Sequence, residues 1–183
     1  MIRIAHHPIY AHPLPKGHRF PMAKYELLPQ QLVLEGTCYK EQFFAPTRMA
    51  DSLITRTHCQ NYYNKLKALS LPKKEARRIG FPLSTELIER ECVIAQGTLE
   101  GCTFALDNGI AFNIAGGTHH AFYDRGEAFC LLNDQAIAAN FLLDNKLAQR
   151  ILIIDLDVHQ GNGTAALFQN NPAVFTFSVH GKA

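Results

Sequence analysis

Ile151-Leu152-Ile153-Ile154-Asp155-Leu156-Asp157-Val158-His159-Gln160-Gly161-Asn162-Gly163 is the stretch on which the reading of this chain turns. A short, partly β-branched apolar run reads as a strand buried in a parallel sheet. The polar residues then lie at its carboxyl end, where open α/β sheets place their ligand sites. Side chains alternate along a strand, so a strand over 151–158 starts Asp155, Asp157 and His159 on one face. A carboxylate and an imidazole two residues apart can grip one zinc-like metal ion. Gly161 and Gly163 let the backbone turn tightly around such a site.

A second cluster lies upstream. Gly116-Gly117-Thr118-His119-His120 follows the apolar run Ile110-Ala111-Phe112-Asn113-Ile114, so a strand over 110–115 again ends in glycines and polar chemistry. Two adjacent histidines near a metal suit general acid–base work or ligation. Ala128-Phe129-Cys130 follows soon after. By residue type alone, Phe129 is an ordinary core aromatic.

The 183 residues make one domain or part of one, and a hydrophobic fraction of 47% supports a packed core. A net charge of +2 with mixed signs gives no electrostatic case for nucleic acid. No apolar run has transmembrane length, and residues 1–8 lack a signal-peptide core and read as a first strand. Five unpaired-looking cysteines point to a reduced, cytoplasmic protein.

Along the chain, residues 8–19 read as a loop and 20–35 as a helix interrupted or ended near Pro29. A short extended piece spans 42–46. Helices follow over 51–54 and 58–69. Lys73, Lys74, Arg77 and Arg78 form a solvated basic face. Ser84 is a good N-cap with Glu86 in the first turn. Behind it Ile88, Cys92, Ala95, Leu99, Cys102 and Leu106 make one helix face, expected to pack on a sheet. Asp107-Asn108-Gly109 ends that helix. A helix over 131–146, the strand over 151–158, a short helix at 164–169 and a strand at 173–179 complete the alternation, which predicts an α/β fold with a parallel sheet.

These segments together resemble the zinc-dependent histone deacetylases of the arginase–deacetylase superfamily, most closely the short class IV and bacterial branch. The resemblance rests on His18-Arg19-Phe20-Pro21-Met22-Ala23-Lys24-Tyr25 and Arg78-Ile79-Gly80-Phe81-Pro82. It continues through Gly116–Phe122, the Phe129-Cys130 turn, Asn133, Asp155–Gly163 and Phe177-Ser178-Val179-His180. It implies a three-layer open parallel β-sheet flanked by helices, with residues 1–183 as the N-terminal part of one such domain. In the family, Asp157 and His159 match zinc ligands. His120 matches the group that takes a proton from water and returns it to the leaving lysine amine, with Asn162 facing it. His119 matches an electrostatic partner near Asp155. Phe129 matches one wall of the acyl-lysine tunnel, and Ala128 departs from the usual glycine before it. Asp155, Asp157, His159, Ser178 and Val179 match a structural monovalent-cation site, usually potassium. Phe168, Asn171 and Val174 match part of a second one. His18 matches a loop near the rim of the site. His6, His7, His12, His58 and His180 are expected to be structural or exposed.

The resemblance also implies a third zinc ligand and a carbonyl-polarising tyrosine from later segments, so the expectation is a piece of a longer enzyme or an impaired truncated one. The family's sheet order places two late strands between 110–115 and 151–157. A chain without them is expected to pair those strands directly, to form a homo-oligomer or to aggregate. The implied reaction is hydrolysis of an acyl-lysine amide in a protein or peptide, with no nucleic-acid or membrane partner. Alternatives are an acetylpolyamine deacetylase, which should show acidic residues at the tunnel mouth, and a catalytically impaired family member with a binding or structural role.

Overall fold

The computed structural model describes residues 2–182. In chain order its elements are β1 (Arg3–Ala5), α1 (Lys24–Leu34), β2 (Phe43–Phe44), α2 (Asp51–Thr57), α3 (Gln60–Lys67) and α4 (Lys73–Ile79). Then come α5 (Thr85–Asn108), β3 (Ala111–Asn113), α6 (Asp134–Asp144), β4 (Ile151–Asp155), α7 (Asn162–Phe168) and β5 (Val174–Ser178). Every strand pairing is parallel, as the alternation of helix and strand requires.

Helix α5 runs through the middle. The Leu87 N–H donates to Ser84 Oγ at 3.1 Å, so Ser84 is the cap its position suggests. Gly109 ends the helix at φ +86°, a conformation that glycine adopts without strain. The expected apolar face does not lie on a sheet. Ile88, Cys92, Ala95 and Leu99 pack into a helical cluster with Ile54, Tyr63, Leu66 and Ile137, and Leu106 is half-exposed. The sheet meets another side of α5, through Gly97 and Gly101. A Cβ at Gly97 would stand 2.6 Å from the Tyr10 hydroxyl and 3.0 Å from Ala5 Cβ. Smallness, not apolarity, lets the helix approach β1 and β3.

Helix α1 is continuous through Pro29. A proline inside a helix leaves the carbonyl four residues back without its N–H donor. That carbonyl belongs to Tyr25, and His6 Nε2 reaches it at 3.2 Å.

The strands form two sheets, β2–β1–β3 and β4–β5, and strands 3 and 4 do not pair. Ile153 and Val174 bury their side chains with Phe168 of α7 and with Ala136 and Ala139 of α6. The opposite face of β4–β5 is bare: Leu152, Ile154, Phe175 and Phe177 are 57%, 53%, 67% and 50% exposed. The helical layer is thus present on one side only of these two strands. Strand β4 also stops at Asp155, short of the expected 158, so alternation along a strand does not place Asp157 and His159. No helix among the described residues is long and apolar enough to cross a membrane.

A contiguous apolar face of this kind favours association. Replacing Leu152 and Phe175 by Thr, a good strand former, should alter unfolding stability by no more than ~0.5 kcal/mol, because both side chains are already in water. The same pair should lower concentration-dependent association. Urea unfolding and sedimentation velocity on one set of samples would check both halves of that expectation.

Candidate active site

The end of β4 folds back on itself through carboxylates that accept from the backbone. Asp155 Oδ1 accepts the Asp157 N–H at 3.0 Å, and Asp157 Oδ1 accepts the His159 N–H at 2.8 Å. These two Asx-type turns bring Asp157 and His159 together. Asp157 Oδ1 and His159 Nδ1 stand 3.0 Å apart. Tetrahedral zinc with ligand bonds of about 2.0–2.1 Å holds its donors roughly 3.3 Å apart, so the pair fits two corners of such a site. Among the described residues, no group of three or more His, Cys, Asp or Glu side chains is poised to hold a metal ion. Burial pulls the Asp157 carboxyl upward. The His159 backbone N–H, the His159 imidazole and the nearby His119 outweigh it and hold the group below the usual carboxylate range.

Gly161 and Gly163 serve by lack of bulk rather than by unusual backbone angles. Gly161 has φ −71°. A Cβ there would lie 2.2 Å from Asp155 Oδ2, and one at Gly163 would lie 2.6 Å from the carbonyl oxygens of His119 and Ala121.

The loop after β3 is set by Asp134, a residue sequence reasoning did not single out. Its carboxylate accepts from the Thr98 hydroxyl at 2.6 Å, the Gly117 N–H at 3.2 Å and the Thr118 N–H at 2.9 Å. Gly116 passes this carboxylate at φ +109°, and a Cβ on it would overlap Asp134 Oδ2 at 2.4 Å. Neighbouring Asn133 caps α6 by accepting the Ala136 N–H at 3.0 Å. An Asn-Asp pair at a helix start was the available signal.

His119 and His120 lie side by side, with ring centroids 4.1 Å apart. Nδ1 of His119 is 2.5 Å from Asp155 Oδ2, and its Nε2 is 3.7 Å from Asp157 Oδ1. A carboxylate can only accept, so Nδ1 of His119 carries the proton. Nδ1 of His120 lies 2.7 Å from Asn162 Oδ1. With the amide oxygen accepting, His120 keeps Nε2 free. The His159 ring is 6.0 Å from the His120 ring.

His119, His120, Asp157 and His159 line a cavity of about 560 Å³ that also holds Phe129, Arg19, Lys24 and Arg90. Phe129 packs its ring against Phe20 at 5.1 Å and Phe81 at 5.0 Å, with His18 edge-on at 5.9 Å. His18 is itself tied down, its Nε2 2.9 Å from Gly80 O. Cys130 is buried, which pushes its thiol up and leaves it protonated. Ala128 and Phe129 both adopt positive φ, +45° and +67°.

Around Asp155, the Val179 N–H donates to its carbonyl at 2.9 Å, and Ser178 Oγ accepts the Gly161 N–H at 3.2 Å. The first residue set expected to hold a monovalent cation is thus gathered at one strand end. Phe168, Asn171 and Val174 form the turn from α7 to β5, linked by Asn171 N to Phe168 O at 2.9 Å and Val174 N to Asn171 O at 3.1 Å. Of its two expected places, structural or exposed, His58 takes the structural one: it is wholly buried, and burial drives its imidazole down to about 4 against two backbone carbonyls that pull it back up.

Residues 18–183 match the histone deacetylase domain family. The chain is 45% identical over 177 residues to an uncharacterised protein of Picosynechococcus sp., covering 97% of this chain and 59% of that protein. It is 30% identical over 145 residues to the acetoin utilization protein AcuC of Bacillus subtilis, covering 74% of this chain and 37% of that one. The crystal structure of a histone deacetylase homologue from Aquifex aeolicus superposes with a TM-score of 0.85 at 25% identity, over 98% of this chain and 50% of that chain. The chain therefore spans 59%, 37% and 50% of the lengths of these three relatives.

Two expectations follow from the geometry. A non-glycine residue at positive φ costs on the order of 1 kcal/mol, so Ala128→Gly should raise unfolding stability by up to about that amount in urea titrations. For His58 the folded value lies below the unfolded 6.5, so the unfolded chain binds the proton first. Its contribution is complete above pH 6.5 and is lost as pH falls toward 4, amounting to roughly 3 kcal/mol. NMR titration of the His58 ring should show no protonation at pH 5.5, where an exposed histidine is already charged.

Proposed function

The chain belongs to the histone deacetylase family, and on that premise we propose that it carries the proton-handling dyads and two metal donors of a zinc-dependent deacylase acting on acyl-lysine amides. The observation that carries this reading is the one cavity lined by His119, His120, Asp157 and His159 together. Residues 1–183 belong to one deacetylase domain on this reading.

Asp157 Oδ1 and His159 Nδ1 would hold the zinc. Bound there, zinc supplies Lewis acidity that makes water acidic and polarises the amide carbonyl. His120 accepts the proton at Nε2, because its Nδ1–H is committed to Asn162 Oδ1. It then returns that proton to the departing lysine amine. His119, locked by the Asp155 carboxylate and facing Asp157, stabilises charge without moving far. Phe129 flanks the apolar stem of the substrate. The Asp155–Ser178 cluster would take a potassium-like cation through oxygen donors, and so would the turn of Phe168, Asn171 and Val174.

An acylated polyamine fits the cavity less well than an acyl-lysine. Its lining holds the cations Arg19, Lys24 and Arg90, and Asp157 is its carboxylate. A substrate with a second ammonium group would meet repulsion there.

Two protein donors fall short of the three that catalytic zinc sites use. The 183-residue chain is therefore expected to bind zinc weakly and turn over a fluorogenic acetyl-lysine peptide poorly. Mixing it with the segment of the Picosynechococcus protein that it does not match should raise both. In the active form, His120→Ala should lower kcat roughly a hundred-fold or more. Asp157→Ala should abolish competition with a zinc-binding dye. Turnover unaffected by His120→Ala would remove the assigned role.

A further inference from the structure

His58 stands at the C-terminal end of α2, wholly buried and outside the lining of the cavity. Both of its ring nitrogens are committed to backbone groups. Nδ1 is 2.8 Å from the carbonyl oxygen of Phe122, and Nε2 accepts the N–H of Asn133 at 2.9 Å. A carbonyl only accepts and an amide N–H only donates, so the ring is neutral with its proton on Nδ1. The two backbone groups bracket the segment that carries Phe129, and the first of them, Phe122 O, lies two residues past His120.

The carbonyls of that loop are fixed one by one. His119 O accepts from Gly163 N at 2.9 Å and Thr164 N at 3.1 Å. Ala121 O accepts from Asn133 Nδ2 at 3.2 Å, and that amide also reaches Thr164 Oγ1 at 3.0 Å. Phe122 O is held by His58. The next carbonyl, Tyr123 O, accepts from Cys59 N at 2.7 Å. His120 has these clamps on either side of it, and its own ring bond to Asn162 spans to α7, whose next residue holds His119 O. The loop is thus pinned to α7 before His120 and to the end of α2 after it.

We propose that His58 is a positioning residue for His120: its Nδ1–H, through Phe122 O, sets where the His120 ring meets Asn162 and the cavity. The inference rests on the deacylase reading above for its consequence in catalysis, but its geometry stands apart from it. A displacement of about 1 Å in a catalytic group can cost on the order of a hundred-fold in rate. A single bond that fixes the backbone two residues from His120 therefore has leverage.

The two halves of the His58 interaction can be separated. His58→Asn places an amide nitrogen where Nδ1 was, keeping a donor for Phe122 O and losing the acceptor for Asn133 N–H. His58→Gln places an amide oxygen where Nε2 was, keeping that acceptor and losing the donor. Each leaves one buried backbone group unpaired, so both should lower Tm similarly. In the active form, made as above with the complementing segment, kcat should fall at least about fivefold further in the Gln variant than in the Asn variant, at equal KM. In the 183-residue chain, the imidazole nitrogen resonances of His120 should shift in the Gln variant and hold closer to wild type in the Asn variant. Equal losses in both variants, following Tm alone, would overturn the proposal. If neither variant folds, the wild-type ring decides: a neutral His58 found with its proton on Nε2 and none on Nδ1 rules out the donor to Phe122. An inactive wild-type active form would count against the deacylase reading, while the His120 resonances would still judge the positioning.

Discussion

The hydrogen bond between His119 Nδ1 and Asp155 Oδ2 joins two sheets that share no backbone pairing. His119 follows β3 and Asp155 ends β4, so one side-chain contact fixes the relation between the carboxyl ends of strands that belong to different sheets. It lies in a largely buried setting, with side-chain exposures of 7% and 11%. A charge-assisted bond there is worth more than at the surface, and its loss would leave a buried carboxylate without its partner. Its neighbours keep it in place. Gly161 leaves room beside Asp155 Oδ2, and Gly163 lets α7 reach the His119 carbonyl. The glycines of the polar stretch thus serve the packing around this one contact.

Much of this was legible in the sequence because the site is built from short local segments. The apolar run 151–154 with its polar end, and the Gly-Gly before the histidines, announce strand ends and a shared site. The route by which Asp157 and His159 meet was not legible. Alternation along a strand and successive carboxylate-capped turns bring these residues together equally well. Only the hydrogen bonds of Asp157 and His159 backbone N–H groups distinguish the two. The packing of α5 was misread for a related reason. A row of large apolar residues marks burial, but not against what, and the true sheet contact is carried by Gly97 and Gly101. Pro29 signals a break unless the freed carbonyl finds a donor, and His6 supplies one from far along the chain. The partners of His58 were beyond reach, since they are backbone groups 64 and 75 residues away and backbone groups leave no trace in composition.

Rigidity is distributed unevenly across the candidate site. The side carrying the tandem histidines is clamped: His119 O is held from α7, Ala121 O by Asn133, and Phe122 O and Tyr123 O by His58 and Cys59. The side proposed to hold the metal is open: the Asp157 and His159 side chains are 51% and 72% exposed. Exposed donors in water make weak metal sites, because water competes for the ion and the ligand pair must be ordered on binding. Asp157 offsets part of this, since the His159 backbone N–H and the neighbouring imidazoles hold its carboxyl below the usual carboxylate range against the pull of burial.

Strand β4 is where the two unsatisfied features converge. Its outer face presents Leu152 and Ile154 to solvent, beside Phe175 and Phe177 of β5, and the segment leaving its end presents Leu156 and Val158 along with the open donor pair. Covering the apolar face would exclude water from the vicinity of Asp157 and His159 as well. Lower local dielectric strengthens the attraction between a divalent ion and the carboxylate, and it also strengthens the His119–Asp155 contact behind it. Burial of the face and metal affinity are therefore linked through one strand, whereas the His119–Asp155 contact behind them is already buried and holds without that cover.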